Sequence, residues 1–153
     1  MKELYGDILL VASESANFGH DTFLCHQVST VRRLGPVLGQ RIALAYPVLV
    51  DEYNSFNFKL GDVLMFSVRP HLCIVFLVAQ ETIRPDTNIE ALLKCLNSLS
   101  QYMAFFPRAS ILFPKGMGCV RGAAEWDSIE HLIDISFKEH LHVYKVGWSK
   151  SLR

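Results

Sequence analysis

The sequence predicts an α/β protein, a three-layer α/β/α sandwich in which helices cover both faces of a mixed β-sheet. After a β-rich start, short apolar segments alternate with helical patterns, which is the order that such sandwiches produce. Residues 72–79 are apolar throughout, as expected of a central strand that is covered on both faces. Between residues 89 and 103, apolar side chains recur every three or four positions, which predicts a helix with one buried face. A chain of 153 residues is expected to form one domain, here residues 1–153.

The first half of the chain is predicted to consist mainly of strands, over residues 3–12, 22–28, 62–68 and 72–79. Gly6-Asp7 interrupts the first of them, and a polar loop is expected over residues 13–21. Pro36 is well placed to open a helix that extends to about residue 45 and stops before Pro47. The aromatic-rich residues 51–61 are predicted to be irregular.

The second half is predicted to add two helices and two strands. Thr87 and Glu90 fit a capping box, in which the hydroxyl and the carboxylate each satisfy a free backbone N–H group at a helix start. Residues 110–113 form a short apolar strand, and a glycine-rich turn over residues 114–122 leads into a helix that extends to about residue 138. The alternating residues 141–146 are expected to close the chain as a strand.

Composition excludes several classes of protein. Fifteen basic and fifteen acidic side chains balance, so a nucleic-acid partner requires a local basic patch and is not favoured. Apolar runs are too short to span a bilayer and no signal-peptide pattern opens the chain, so we expect no membrane partner and an intracellular location, cytoplasmic or nuclear. The four cysteines show no C-x-x-C pairing, which favours core thiols over disulfides or zinc ligands. We predict neither a metal site nor a cofactor.

Two glycine-containing loops, residues 29–36 and 115–122, each follow a predicted strand and lead into a predicted helix. In sheets of this kind, ligands bind beyond the carboxyl ends of the strands, where such loops gather. Glycines let the backbone approach a ligand closely, and the N–H groups at a helix start attract phosphate. Either loop alone could be an ordinary turn, but the two loops together predict a site for a phosphorylated ligand.

Short motifs, in the same order along nearly the whole chain, resemble those of macro domains. Gly6-Asp7-Ile8 is similar to the G-D-I/L/T signature of that family. His26-Gln27-Val28-Ser29, followed by Arg33-Leu34-Gly35, resembles the first ligand loop of the ADP-ribosyl-glutamate hydrolase branch, H-x-I/V-S and then M-G-x-G. The segment from Gly35 to Ala45-Tyr46-Pro47 is also similar to yeast-type ADP-ribose-1″-phosphatases. Met117-Gly118-Cys119-Val120, with Trp126, resembles I-G-C-G-x-x-x-x-x-W.

The resemblance implies the macro-domain fold and a set of ligand-binding residues. Asp7, followed by Ile8, matches the carboxylate that accepts the adenine amino group, although a turn former after Gly6 is an equal alternative without the family context. Ser29 matches the position near the distal ribose, where most other macro domains have Asn, and this points to the glutamate-hydrolase branch. The other implied positions belong to a ribose loop and a diphosphate loop: Arg33, Leu34, Gly35 and Val37, then Gly116, Met117, Gly118, Cys119, Val120 and Arg121.

The chain departs from the branch at its catalytic positions. The lysine at the end of the strand over residues 72–79 falls on Gln80, and the aspartate that follows I-G-C-G falls on Gly122. An amide cannot form a covalent adduct with an opened ribose, and glycine cannot transfer a proton. The second glycine of the ribose loop falls on Val37, and the last glycine of the diphosphate loop falls on Val120. Because a β-branched residue tolerates neither positive φ nor close backbone approach, both valines are expected to narrow the cleft.

The remaining catalytic candidates are His26 and Ser29. A histidine needs little pKa tuning to act as a general base, but no carboxylate lies near His26 in sequence to orient it, and a structural role is favoured. Cys119 is a possible nucleophile, but the matching family position is often Cys without that role. Arg33 and Arg121 can meet phosphates, with solvated loop arginines as the alternative.

Three functions follow from this pattern. The first is a binding module for ADP-ribose or a related nucleotide, free or linked to an ADP-ribosylated protein, with degraded catalytic motifs. The second is an enzyme, an ADP-ribosyl-glutamate hydrolase or an ADP-ribose-1″-phosphatase, that uses positioned water and His26. The third is a macro-like scaffold whose narrowed cleft serves a contact with protein or nucleic acid.

Overall fold

The computed structural model describes residues 1–35, 37–82, 86–119 and 123–148. Within these ranges the strands are β1 (Lys2–Tyr5), β2 (Thr22–Ser29), β3 (Val63–Arg69), β4 (Leu72–Gln80), β5 (Ser110–Pro114) and β6 (Val143–Gly147). The helices are α1 (Ile8–Asn17), α2 (Leu38–Ala45), α3 (Pro47–Ser55), α4 (Ile89–Met103) and α5 (Ala123–Ser136).

The strands form one mixed sheet in the order β1-β6-β5-β2-β4-β3. All neighbouring strands are parallel except β3 and β4, which form an antiparallel hairpin. The carboxyl ends of β1, β6, β5, β2 and β4 therefore lie at one edge, where Tyr5 pairs with Gly147, Pro114 with Val146, and Ser29 with Gln80. The loops that follow these strands gather at that edge.

Helices cover both faces of the sheet, and β4 shows why. Its side chains alternate between two hydrophobic clusters, with Ile74 and Phe76 in one and Val75 and Leu77 in the other. The first cluster contains the buried faces of α1, α2 and α3, and the second contains those of α4 and α5. A strand buried on both faces must be apolar at every position, which explains its sequence. The predicted three-layer sandwich with a mixed sheet is confirmed.

The prediction of a long first strand over residues 3–12 was wrong. The strand ends at Tyr5, and residues 8–17, including half of the predicted polar loop, form α1. Asp7 begins this helix, since its side chain accepts a hydrogen bond from the backbone N–H of Leu9 at 3.0 Å. Ala12 and Ala16 continue the buried face at helical spacing. Four consecutive apolar residues hid that spacing, because such a run fits a strand and a buried helix equally well.

Two other expectations required correction. The segment predicted to be irregular from residue 51 is helical up to Ser55, because Pro47 ends one helix region and opens α3 as its first residue. The cap of α4 is Asn88, which accepts from the N–H of Ala91 at 2.9 Å, and not Thr87. The hydroxyl of Thr87 instead donates to the carbonyl of Gly118 at 2.8 Å. Pro36, predicted to open α2, lies outside the described residues.

In the described parts of the chain, no helix combines the length and the apolar character that crossing a bilayer requires.

Candidate functional site

Two adjoining cavities lie beyond the carboxyl ends of the strands and together form a cleft. The edge cavity, next to β1 and β6, has a volume of about 290 Å³, and the central cavity, next to β2 and β4, one of about 280 Å³. Four residues line both: Val37, Leu38, Pro114 and Lys115. The edge cavity is also lined by Gly6, Ile8, Arg41, Val146, Gly147 and Trp148. The central cavity is also lined by His26, Gln27, Leu34, Gly35, Gln80, Gly116, Met117 and Gly118.

Backbone geometry in the two loops matches the expectation for glycine-rich ligand loops. Gly35, Gly116 and Gly118 have φ values of +85°, +86° and +75°, in the region that favours glycine. Val37 also has positive φ, at +57°, although it is β-branched. The expectation that valine does not tolerate this conformation was wrong for the described structure, and Val37 is a strained residue between the two cavities. Its side chain is 61% exposed.

Asp7 has both carboxylate oxygens engaged by the protein. Oδ1 accepts from the backbone N–H of Leu9 and caps α1, and Oδ2 accepts from the guanidinium of Arg41. The hydrogen bond from Arg41 is the main cause that lowers the pKa of Asp7, so the carboxylate is ionised at neutral pH. Gly6 and Ile8, the two neighbours of Asp7, line the edge cavity, whereas Asp7 is not among its lining residues.

The charged side chains that line the described cleft are cationic. Arg41 lies one helical turn into α2, and its guanidinium is 5.7 Å from the centre of the Trp148 ring. Lys115 donates to a carboxylate oxygen of Glu3 at 2.7 Å, which partly balances its charge. Among the described lining residues of both cavities there is no Asp or Glu. Each of the two cations is paired with a carboxylate outside the lining, Asp7 or Glu3, so the cleft presents N–H donors to an anion while the charge of each pair is balanced.

A neutral network of amides forms one wall of the central cavity. The Gln27 side-chain N–H₂ group donates to Oε1 of Gln80 at 3.1 Å and to the hydroxyl of Thr87 at 2.8 Å. The Thr87 hydroxyl in turn donates to the carbonyl of Gly118. Oε1 of Gln27 is buried and has no hydrogen-bond partner among the described residues. A buried acceptor of this kind normally has a partner, so it is suited to a ligand hydroxyl or a water.

His26 holds the loop that contains Leu34 in place. Its Nε2 donates to the carbonyl of Leu34 at 2.5 Å, and its ring packs edge-on against Phe76, with 5.9 Å between ring centres. Burial lowers the pKa of His26, an effect that exceeds the opposite influence of the Leu34 carbonyl. The ring is thus neutral at pH 7, with its proton on Nε2 and an acceptor at Nδ1.

Ser29 and Cys119 do not line the described cavities. Ser29 lies beside Gln80 in the strand register, with its hydroxyl oxygen buried and unpaired among the described residues. Its carbonyl accepts from the Tyr53 hydroxyl at 3.3 Å. Burial raises the pKa of Cys119 to about 11, so a thiolate is scarce at neutral pH and a nucleophilic role is disfavoured.

The structure brings most of the predicted positions to the cleft, but not all. The lining includes Ile8, His26, Leu34, Gly35, Val37, Gly116, Met117 and Gly118. Arg33 lines a separate cavity of about 600 Å³ that is bordered by residues of α2 and α3. Val120 and Arg121 lie outside the described residues, as does Gly122, and the expectations for them stay predictions.

Sequence reasoning missed three lining residues that define the character of the cleft. Arg41 lies four residues after Val37, so the predicted helix places both side chains on the same face, and this spacing could have identified Arg41. Gln27 stands inside the quoted motif, at a position that the motif leaves open. Trp148 follows the last strand, and no pattern in the sequence marks it.

No group of three or more histidine, cysteine or acidic side chains in the described part of the chain is placed to hold a metal ion. The four cysteines are free thiols.

The fold is similar to solved structures that carry little sequence similarity. A macrodomain protein from Streptomyces coelicolor is 17% identical, with a TM-score of 0.75 over 97% of this chain and 98% of that one. The macrodomain of Thermus aquaticus DarG is 16% identical, with a TM-score of 0.72 over 97% of each chain. Thermosipho africanus DarTG, solved in complex with ADP-ribose, is 15% identical, with a TM-score of 0.68 over 88% of this chain and 39% of that one.

No protein-family model matches the sequence, and no curated protein matches it. At these identities, structural similarity establishes the fold and nothing finer. The sheet order, the two layers of helices and the solved structures agree on one conclusion: this chain has the macrodomain fold.

Proposed function

We propose that this chain belongs to the macro domain family and is an intracellular binding module for ADP-ribose or a related nucleotide, free or linked to protein. A solved structure of the same fold holds ADP-ribose, which supports this class of ligand. The observation that carries the proposal is the continuous cleft, lined by glycine turns and cations and by no acidic side chain among the described residues. The two cavities together have a volume typical of small-ligand sites, roughly 300–1,000 Å³.

The ligand-binding roles are proposed as follows. The turn containing Gly116 and Gly118 lies against the diphosphate, because glycine permits close approach of the backbone N–H groups. Gly35 and Leu34 border the distal ribose, and the unpaired Oε1 of Gln27 accepts from a ribose hydroxyl. Lys115, which lines both cavities, supplies positive charge beside the diphosphate.

Binding without turnover is favoured by the chemistry of Gln80. Its side chain lines the central cavity at the position of the family lysine, and its Oε1 accepts from Gln27. A carboxamide in such a network can orient a ligand but offers no nucleophile and no proton with a useful pKa. We therefore infer that the lysine and aspartate chemistry of the glutamate-hydrolase branch is absent.

Calorimetric titration with ADP-ribose tests the binding function. A dissociation constant in the micromolar range is expected, or roughly −7 to −8 kcal/mol. Absence of both heat and chemical-shift changes at millimolar ADP-ribose would reject the proposal and favour a scaffold that contacts protein or nucleic acid.

The alternative is a hydrolase or an ADP-ribose-1″-phosphatase that uses His26, favoured by the neutral imidazole in the central cavity. Single-turnover release of ADP-ribose from an automodified polymerase distinguishes the two. Release near background is expected for a binding module. Efficient release that His26→Ala abolishes would instead identify the chain as an enzyme with a rearranged active site.

A further inference from the structure

The edge cavity presents a cation where the family pattern implies a carboxylate. Asp7 has one oxygen on the helix cap and the other on Arg41, and it does not line the cavity. The Asp7 side chain is 17% exposed and that of Arg41 is 33% exposed. Of the two side chains, the one that a ligand in the edge cavity can contact is therefore that of Arg41. The Asp7 carboxylate holds the guanidinium in place from outside the cavity.

The surroundings of Arg41 are suited to a flat ring. Trp148 is 68% exposed, lines the same cavity and has its ring 5.7 Å from the Arg41 guanidinium carbon. Ile8 and Val146 add apolar surface. An exposed aromatic face beside apolar side chains is the usual platform on which a nucleobase stacks.

The hydrogen-bond character of Arg41 decides which base fits. A guanidinium has five N–H donors and no acceptor, and one of its nitrogens is bonded to Asp7. Adenine carries a donor, an amino group, at C6, whereas guanine and hypoxanthine carry a carbonyl acceptor there beside the acceptor N7. Arginine binds that pair of acceptors in a bidentate manner, and this is the commonest specific contact between arginine and a base.

We infer that the edge cavity binds a 6-oxopurine in preference to adenine and that Arg41 is the residue that reads the base. The inference rests on the proposed function and adds to it a preference, among related nucleotides, for those whose base presents a carbonyl group. Asp7 is then a positioning residue, which holds Arg41 in place and caps α1.

Inosine 5′-diphosphate and adenosine 5′-diphosphate are the probes, since they share the ribose and the diphosphate and differ only in the base. Hypoxanthine has a carbonyl at C6 and an N–H donor at N1, whereas adenine has an amino group at C6 and an acceptor at N1. Calorimetry on the full chain should give about tenfold or more tighter binding of the inosine nucleotide. Arg41→Met, which keeps the length of the side chain and removes its donors, should abolish or reverse that preference. Arg108→Met is the matched control, because Arg108 is exposed and precedes β5, at the opposite end of that strand from the cleft; the preference should persist.

Asp7→Asn keeps the experiment decisive if Arg41→Met does not fold. Asparagine retains the helix cap but lacks the charge that holds Arg41, so the inosine preference should weaken but persist if Arg41 reads the base, and should be lost if the carboxylate reads it. Equal or tighter binding of the adenosine nucleotide by the unmodified chain, with ADP-ribose still bound, would overturn this inference and leave the proposed function standing. If ADP-ribose and both nucleotides fail to bind at millimolar concentration, the proposed function and the inference fall together.

Discussion

The two halves of the cleft are lined by polar groups of different chemistry. The edge cavity is lined by the cationic side chain of Arg41, which lies on α2 and is paired with Asp7, the cap of α1 outside the cavity. In the central cavity the polar wall is neutral, and Gln27 has an acceptor without a partner among the described residues. The two halves of the cleft thus differ in the charge of the side chains that line them. Substitutions in the two halves should therefore change stability and ligand binding by different amounts.

The largest effect is expected in the central cavity, from Gly118→Ala. A Cβ atom at Gly118 would lie 2.5 Å from the Thr87 hydroxyl and 2.8 Å from the Gln27 amide, in a backbone with φ of +75°. The change adds left-handed strain and breaks buried hydrogen bonds, so it should lower the free energy of unfolding by about 3–5 kcal/mol.

Gly116→Ala is the matched control, because Gly116 has φ of +86° in the same turn but no atom within 4 Å of an added Cβ. Gly116→Ala should lower the free energy of unfolding only by the strain of an alanine with positive φ, about 1–2 kcal/mol. Urea unfolding measures both. Equal losses for the two variants would show that the amide network does not constrain the turn.

A smaller loss of stability is expected beside the edge cavity, from removal of the Asp7 carboxylate. Asp7→Ala removes the cap of α1 and the partner of Arg41, and it should lower the free energy of unfolding by about 1–2 kcal/mol. Asp7→Asn should cost a few tenths of a kcal/mol, since asparagine caps a helix as well as aspartate does. Thermal and urea unfolding of the pair distinguish the cap from the charge. A loss with Asn as large as with Ala would mean that the ion pair is the main contribution.

Acid should destabilise the two halves in different pH ranges. Burial holds the pKa of His26 below its usual value of about 6.5, so the unfolded chain binds a proton more readily than the folded one. The stability that His26 contributes is present above pH 6.5 and is lost as the pH falls below it. The pKa of Asp7 is lowered from 3.8, and its contribution is lost only as the pH falls below about 4.

Urea unfolding at pH 7.5 and at pH 5.5 measures the contribution of His26. The unmodified chain should be less stable at pH 5.5, and His26→Gln, which retains a donor for the Leu34 carbonyl, should reduce that dependence. His131→Gln, on the exposed side of α5, serves as the control and should leave the dependence unchanged. If His26→Gln shows the same loss on acidification, another group is responsible.

Most helices and strands were predictable from the sequence, because each produces a local pattern of apolar residues. The alternating clusters of β4 and the buried stripe of α4 were predictable from periodicity, and the glycine turns from residue type. Residues 8–11 were not, because four apolar residues in a row carry no period. The Asp7–Arg41 pair joins residues 34 positions apart, and the Gln27–Gln80 bond joins residues 53 apart. Such contacts depend on which strands become neighbours, so the motif positions were predictable and their partners were not.

A gain in stability, rather than a loss, is expected at the boundary between the two cavities, from Val37→Gly. Val37 has φ of +57°, a conformation that costs a β-branched residue about 1–3 kcal/mol. The added freedom of glycine in the unfolded chain costs roughly 0.5–1 kcal/mol, so a net gain of about 1 kcal/mol is expected. Because the Val37 side chain lines both cavities, its removal should also tighten ADP-ribose binding. Val31→Gly, at an exposed valine without positive φ, should destabilise and leave binding unchanged. Urea unfolding and calorimetry on both variants provide the comparison. Weaker binding by Val37→Gly would show that the valine contacts the ligand and joins the two halves of the cleft, rather than separating them.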